Sequence, residues 1–396
     1  MITPFIVACV ALAAQPEAKQ AEKAERPAAA ASGVPRPDLR DIPVLEEGKD
    51  YRVETVVEGV EVPWAIAWTS PSRMIFTERP GRVRVVENGK LKAQPLYTVP
   101  DVIGPGGENG LMGLCVHPDY VRTRFVYIAY GTSNDVRVVR LKDTGGSLVE
   151  PKVIVEGLPK GRNHVGCRIA FGPDKKLYVT AGEVFKRQLA QEMGSLGGKI
   201  LRVNDDGSIP DDNPFVGQEG KRPEIWSYGH RNPQGIDWDE AGNLYSTEHG
   251  PSGEVRPARG DDELNLVTKG ADLGWPDVWG TNQKEGALSP LAVFSPAIAP
   301  GAAIVYKGQQ FPAWRGRVMF CALGGLRPDP DPGVYIVEIK DGKAGEMQRM
   351  LTDVGRVRCI AVGPDGGLYV STSNRDGRAE PREGDDKIVR VVAVEK

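Results

Sequence analysis

From about Asp50 to the C-terminus, apolar and β-branched residues come in short runs broken by Gly, Pro, Asp and Asn, the patterning of many short strands rather than of helices. One unit recurs: an apolar strand, a tight polar turn, then a second apolar strand ending in small or hydroxyl residues. It reads WAIAWTSPSRMIFTE at 64–78, GLCVHPDYVRTRFVYIAY at 113–130, RIAFGPDKKLYVTAGE at 168–183, GIDWDEAGNLYSTEHG at 235–250 and CIAVGPDGGLYVSTS at 359–373, with a degenerate copy, AAIVYKGQQFPAWRGRVMFCA, at 302–322. A period of about 45–65 residues suits a propeller blade with loop insertions. The fold predicted is all-β: a six-bladed β-propeller of four-stranded antiparallel blades. Closure is assigned to the runs YRVETVV at 51–57 and KIVRVVAV at 387–394, one from each end of the chain. A pair of β-sandwiches is the competing architecture.

The pattern changes before Asp50. Residues 2–14, ITPFIVACVALAA, form an apolar run ending in small residues, which reads as a secretory signal too short to anchor a bilayer. The positive residues that usually start such a signal are missing. Ile6-Val7-Ala8-Cys9 offers a second reading, lipid attachment at Cys9. Residues 15–48 are dominated by Ala, Glu, Lys and Pro and carry no aromatic side chain, so composition assigns them to a disordered tether. The division is 1–14 signal, 15–48 tether and 49–396 propeller, with export to the periplasm or the exterior.

Composition supports strands and turns over helices, with 48 Gly and 32 Pro in 396 residues. A net charge of −3 provides no long-range field to collect nucleic acid. The five cysteines form no CxxC pair and no CxxCH haem attachment, and they read as small buried hydrophobes.

Propellers bind ligands where loops converge at one mouth of the channel, so candidates are polar, glycine-flanked loop residues far apart in sequence. Of the four histidines, His117 falls in a repeated turn and reads as structural. His164, in RNHVGCR, precedes a blade's first strand, and Glu183 leaves the same hairpin, so the two can form an oriented base pair. YGHRNPQG sets Arg231 beside Asn232 in a proline-fixed turn suited to a flat, anionic, oxygen-rich ligand. EHGPSG offers backbone carbonyls, and the acidic GDDELN, with Asp261 and Glu263, adds hard oxygens that suit calcium. Arg356 and Arg358 alternate in GRVR and point the same way. GPGGENG at 104–110 lacks the lysine and the βαβ setting of a phosphate loop. Each of these loops also has a plain structural reading as a surface turn.

Taken together, ENGLMGLCVHPDY, RNHVGCRIAFGPDKKLYVTAGE, SLGGKILRVNDDGSIPDDNPF, YGHRNPQGIDWD, DELNLVTKGADLGWP and GRVRCIAVGPDGGLYV resemble the soluble pyrroloquinoline quinone (PQQ)-dependent sugar dehydrogenases, the glucose/sorbosone and aldose sugar dehydrogenase family, over about Val62 to Val392. The resemblance implies a propeller holding PQQ over its channel with calcium on the quinone's oxygens, and oxidation of a sugar's anomeric carbon to a lactone. It makes His164 the general base, Glu183 its supporting acid, and Arg231, Asn232 and Gln234 the quinone-binding turn. Gly250 and Pro251 become calcium ligands, Arg356 and Arg358 contact quinone and carboxylate, and His249 is counted with the cofactor set. Electrons would pass to a separate acceptor, a quinone or a cytochrome.

The chain departs from the family pattern at four places. Glu108 stands where the family has a substrate-facing Gln. A Ser-Leu-Lys turn is replaced by ALGGLRPDPDPG, leaving Arg327 as the candidate cation. EVRPAR is inserted before GDDELN, and Cys359 replaces an Asp after the paired arginines. A propeller that binds without turning over substrate is the alternative these departures leave open, and a metal-dependent lactonase of another propeller class is a third.

Overall fold

The computed structural model describes residues 33–104, 106–253, 260–325 and 332–394. Each repeat seen in the sequence is the inner pair of strands of one blade. The first blade is built from Pro63–Ser70, Arg73–Glu78 and Arg82–Glu87, with a broken outer edge of Lys90–Leu91 and Tyr97–Thr98. The second is Leu111–Val116, Phe125–Gly131, Val136–Asp143 and Leu148–Leu158. The third is Ile169–Phe171, Leu177–Ala181, Lys199–Val203 and Ile225–Tyr228, and the fourth Pro233–Trp238, Leu244–Glu248, Asp262–Val267 and Ala292–Phe294. The fifth is Pro300–Val305, Val318–Ala322, Gly333–Lys340 and Lys343–Met350. The sixth takes Val357–Val362, Leu368–Thr372 and Lys387–Val392 from the end of the chain and its outer strand, Arg52–Glu58, from the beginning. Each innermost strand touches the next, and the sixth touches the first, so six blades close a ring. Arg52 pairs with Val392 and Glu58 with Lys387, as the two terminal runs predict.

The hairpin turns follow from their residues. In Pro-Asp-Lys-Lys, Glu-Ala-Gly-Asn and Pro-Asp-Gly-Gly the third position is left-handed, with φ of 60° at Lys175, 87° at Gly242 and 79° at Gly366. Glycine meets that demand without a Cβ penalty, and Lys175 tolerates it. The hydroxyls that end the second strands join blade to blade. Thr77 Oγ1 donates to Met112 O at 2.7 Å, Thr247 Oγ1 to Gly301 O at 2.9 Å, and Ser371 Oγ to Pro63 O at 2.7 Å, each spanning to the next blade's innermost strand. Between the blades lie apolar layers such as Tyr127, Leu141 and Leu177, or Phe294, Phe320 and Tyr335.

The last part of the presumed tether is packed against the propeller. Val293 N–H donates to Pro35 O and Arg349 N–H to Pro43 O, while Leu45 N–H donates to Arg349 O. Leu39 and Ile42 are buried with Leu291 and Phe294, so residues 35–45 form a strap across the outer edges of the fourth and fifth blades. Two apolar side chains in a polar stretch and two free sheet edges account for the docking. The signal region, with Cys9, and the Arg327 segment lie outside the described residues. Among the described residues no helix is long and apolar enough to cross a membrane.

Candidate active site

His164 lies on the segment leading into the third blade, in a left-handed conformation with φ of 56°. An L-residue holds that region only when its surroundings fix it. Its carbonyl accepts from Val184 N–H at 3.2 Å, and its own N–H donates to Glu108 Oε2 at 2.9 Å. A Cβ on Gly182 would sit 1.9 Å from that carbonyl, which is why glycine directly follows the second strand of the hairpin. The next residue, Glu183, is buried and places Oε1 2.5 Å from His164 Nδ1. Phe185 covers the ring at a centroid distance of 3.9 Å. With Nδ1 committed to the carboxylate, Nε2 is the nitrogen left for chemistry.

The adjoining turn, Arg231 to Gln234, is wholly buried. Glu248 organises it: its carboxylate accepts from Arg231 N–H and is 2.8 Å from His230 Nδ1, while Ser227 Oγ lies 2.8 Å from His230 Nε2. The Arg231 guanidinium donates to His249 O at 3.1 Å and stands over the Trp275 ring, 5.5 Å from its centre. Asn232 Oδ1 accepts from Gly166 N–H and from Gln234 Nε2, each at 3.1 Å. One side-chain amide thereby ties this turn to the His164 segment.

Arg356 and Arg358 enter from the sixth blade and share a carboxylate that sequence reasoning missed. Arg356 Nε donates to Asp376 Oδ2 at 2.9 Å, and Arg358 Nη2 is 3.6 Å from the same oxygen. Burial alone would raise the Asp376 carboxyl, but the two guanidinium groups outweigh it and the net displacement is downward. Burial also brings Arg358 down to about 10, and its Nε finds no partner among the described residues. Arg79 and Arg378 belong to the same rim: Arg79 donates to Gly107 O, and Arg378 to Asn163 Oδ1 at 3.0 Å. Glu108 completes it. Burial acts to raise its carboxyl, but His249, His164, Arg378 and Arg358 together hold it below the usual carboxylate range.

The acidic residues expected near Gly250 and Pro251 are turned to other tasks. Asp261 pairs with Arg36 of the strap. Glu263 accepts from Gly280 N–H at 2.6 Å and from Asn265 Nδ2 at 3.2 Å, and burial beside Glu248 pushes its carboxyl above the usual carboxylate range. Asp262 Oδ1 accepts from Gly250 N–H at 2.8 Å. His249 is buried, which lowers its imidazole against the pull of Asp262 and Glu108, and its Nε2–H donates to Pro300 O at 2.8 Å. Among the described residues no group of three or more His, Cys, Asp or Glu side chains is arranged to hold a metal. The Gly250 and Pro251 carbonyls remain the hard oxygens of this corner, beside a small cavity also lined by Arg231, Glu248 and Trp275.

His164, Glu183, Asn232, Gln234 and Glu108 are thus joined directly, and Arg231, His249, Arg356 and Arg358 stand around them. Asp376, Glu248, Arg79, Arg378 and Trp275 were missed, and of these only Glu248 had a signal, as the acid directly preceding the His-Gly-Pro turn.

The family description "Glucose / Sorbosone dehydrogenase" matches residues 60–382. The chain belongs to that family. It is 34% identical over 352 residues to the aldose sugar dehydrogenase YliI of Escherichia coli K12, covering 82% of this chain and 91% of that one. It is 30% identical to the quinoprotein glucose dehydrogenase B of Acinetobacter calcoaceticus, over 61% of this chain and 55% of that one. The structure of the PQQ-bound aldose sugar dehydrogenase of Streptomyces coelicolor superposes with a TM-score of 0.75 at 33% identity, covering 87% and 98% of the two chains. As a member of this family the chain is an oxidoreductase of the aldose/glucose dehydrogenase type.

Proposed function

We propose that this enzyme oxidises a sugar at its anomeric carbon to the lactone, using PQQ and calcium, with His164 as general base. The observation that carries the reading is the His164–Glu183 pair, which leaves Nε2 at a rim lined by arginines. Those arginines fit a flat, polyanionic quinone. Arg358 Nε is a buried donor without a partner among the described residues, and such a donor calls for an acceptor from a ligand or water. The Gly250 and Pro251 carbonyls are the residues that would take calcium, with Asp261 and Glu263 left out of the set.

His164 Nε2 takes the proton of the anomeric hydroxyl, and Glu183 stabilises the imidazolium that results. Arg231, Asn232, Arg356 and Arg358 would hold the cofactor's oxygens, while Phe185 lies against the His164 ring and Trp275 against the Arg231 guanidinium. When bound, the quinone supplies the two-electron acceptor for the hydrogen on the anomeric carbon, and calcium polarises the accepting carbonyl. A separate acceptor outside the chain then takes the electrons. The reading includes export, supported by the apolar run at residues 2–14.

Reconstitution of the purified protein with PQQ and calcium tests it. A quinone absorbance together with sugar-dependent dye reduction is the expected result, and H164A should lower turnover by about a thousandfold or more while retaining the absorbance. Quinone binding without dye reduction for any aldose would favour a binding propeller. Unchanged turnover in H164A would remove the base from His164.

A further inference from the structure

We propose that Glu108 is a positioning residue of the reaction: its carboxylate holds the His164 main chain in its left-handed turn and fastens that turn to Asn232, rather than serving chiefly as a contact for the sugar. The inference rests on His164 being the base. The Glu108 side chain is only 11% exposed. Its Oε2 accepts from His164 N–H at 2.9 Å and lies 3.4 Å from Asn232 Nδ2. Its Oε1 is 3.8 Å from Arg378, whose guanidinium also reaches Asn163. Both oxygens therefore face protein donors.

The surrounding chain is built to bring this carboxylate to that place. Glu108 N–H donates to Arg162 O at 2.8 Å, and Asn109 Nδ2 donates to Gly161 O. A Cβ on Gly107 would come 2.1 Å from Arg162 O, so the loop lies flat against the 161–164 segment only with glycine there. The result is a loop from between the first two blades fastened to the segment that presents the base.

The consequence is geometric. The direction of the imidazole follows from the His164 backbone, and a left-handed residue released from its acceptor relaxes toward the right-handed or extended regions. Such a change moves Nε2 by an ångström or more, enough to cost about a hundredfold in rate. Glu183 fixes the ring from one side and Glu108 fixes the backbone beneath it. Neither substitutes for the other, because one accepts from the side chain and the other from the main chain.

The test has two independent readouts in E108A and E108Q. Glutamine keeps an oxygen acceptor at the same reach, whereas alanine leaves the His164 N–H without one. Since the chain has four histidines, protein labelled with ¹⁵N-histidine has four histidine amide signals, and H164A identifies the one of interest. In the cofactor-free protein this amide should exchange slowly in the wild type and E108Q, and at least about tenfold faster in E108A. In the reconstituted enzyme E108A should lower kcat by roughly 10–100-fold with little change in KM, and E108Q should restore most of it. An amide as protected in E108A as in the wild type overturns the proposal. So does a rise in KM at constant kcat in both variants, which would make Glu108 a sugar contact. Turnover surviving in H164A would strike at the base itself, whatever the amide exchange shows, so the two failures are told apart.

Discussion

At Asp376 one carboxylate serves two buried arginines, and removing its charge without its shape isolates what it does. D376N leaves Arg356 and Arg358 side by side without the carboxylate they share, a change that typically costs about 3–5 kcal/mol for a buried pair. Chemical denaturation should register this loss, and quinone affinity should fall as the guanidinium groups separate. The wild type also carries a pH signature. Because the two arginines hold the Asp376 carboxyl below its unfolded value, its contribution is present above the unfolded pKa and fades as pH falls through the folded one. A melting series should show acid destabilisation that is shallower in D376N than in the wild type; equal slopes would assign the acid loss to other carboxylates. Residues of this kind are where sequence reading stops short. His164 and Glu183 were legible because a single hairpin joins them. Asp376 was not, because its loop, SNRDG, looks like any polar turn and its partners lie on the preceding hairpin. At Asp261 and Glu263 the partners were hidden for the complementary reason: acidity in a loop does not say that Arg36 pairs with the one and Gly280 N–H donates to the other.

Strands and turns were legible with few exceptions, since both depend on local patterning. The left-handed third position of the hairpin turns explains why Gly242 and Gly366 stand where they do. The hydroxyls at the strand ends were visible in the sequence, but their purpose was not, because it requires knowing which blade comes next. Thr77 shows the purpose most simply. T77V keeps the β-branched shape and deletes the bond to Met112 O, leaving a buried carbonyl short of a donor, so urea unfolding should show a loss of about 1–3 kcal/mol with activity largely retained. A loss below a few tenths of a kcal/mol would mean that water replaces the hydroxyl. The strap at residues 35–45 was the misread element. Composition averaged over 15–48 hid Leu39 and Ile42, and no local rule announces that Pro35 and Pro43 offer carbonyls to two open strand edges.

At the scale of the molecule the repeat count determined the architecture, because six similar hairpins leave little other than a ring. What remained hidden was how the ring's mouth is furnished, since the site draws on loops of at least four blades that are distant in sequence. The strap adds a connection of its own: through Arg36 and Asp261 it reaches the loop that follows Gly250 and Pro251. Deleting residues 1–45 should therefore lower the melting temperature by several degrees and weaken PQQ retention, with the far-UV spectrum of the ring unchanged. Retained quinone affinity in that deletion would confine the strap to the outer edges it covers.

The pairing of Arg52–Glu58 with Lys387–Val392 has a consequence in time. Among the described strands the earliest, Arg52–Glu58, has no partner until Lys387–Val392 arrives, more than 300 residues later. The sixth blade is thus a timekeeper: its contacts have the greatest sequence separation in the chain, and loop closure over that span makes it the late step of folding. A chain ending before Lys387 would keep the ring of innermost strands but split the sixth blade, leaving Leu368–Thr372 with a raw edge and Arg52–Glu58 without a sheet. Two such chains can satisfy each other's edges, so truncation at residue 386 should yield dimers and larger aggregates by size exclusion instead of a destabilised monomer.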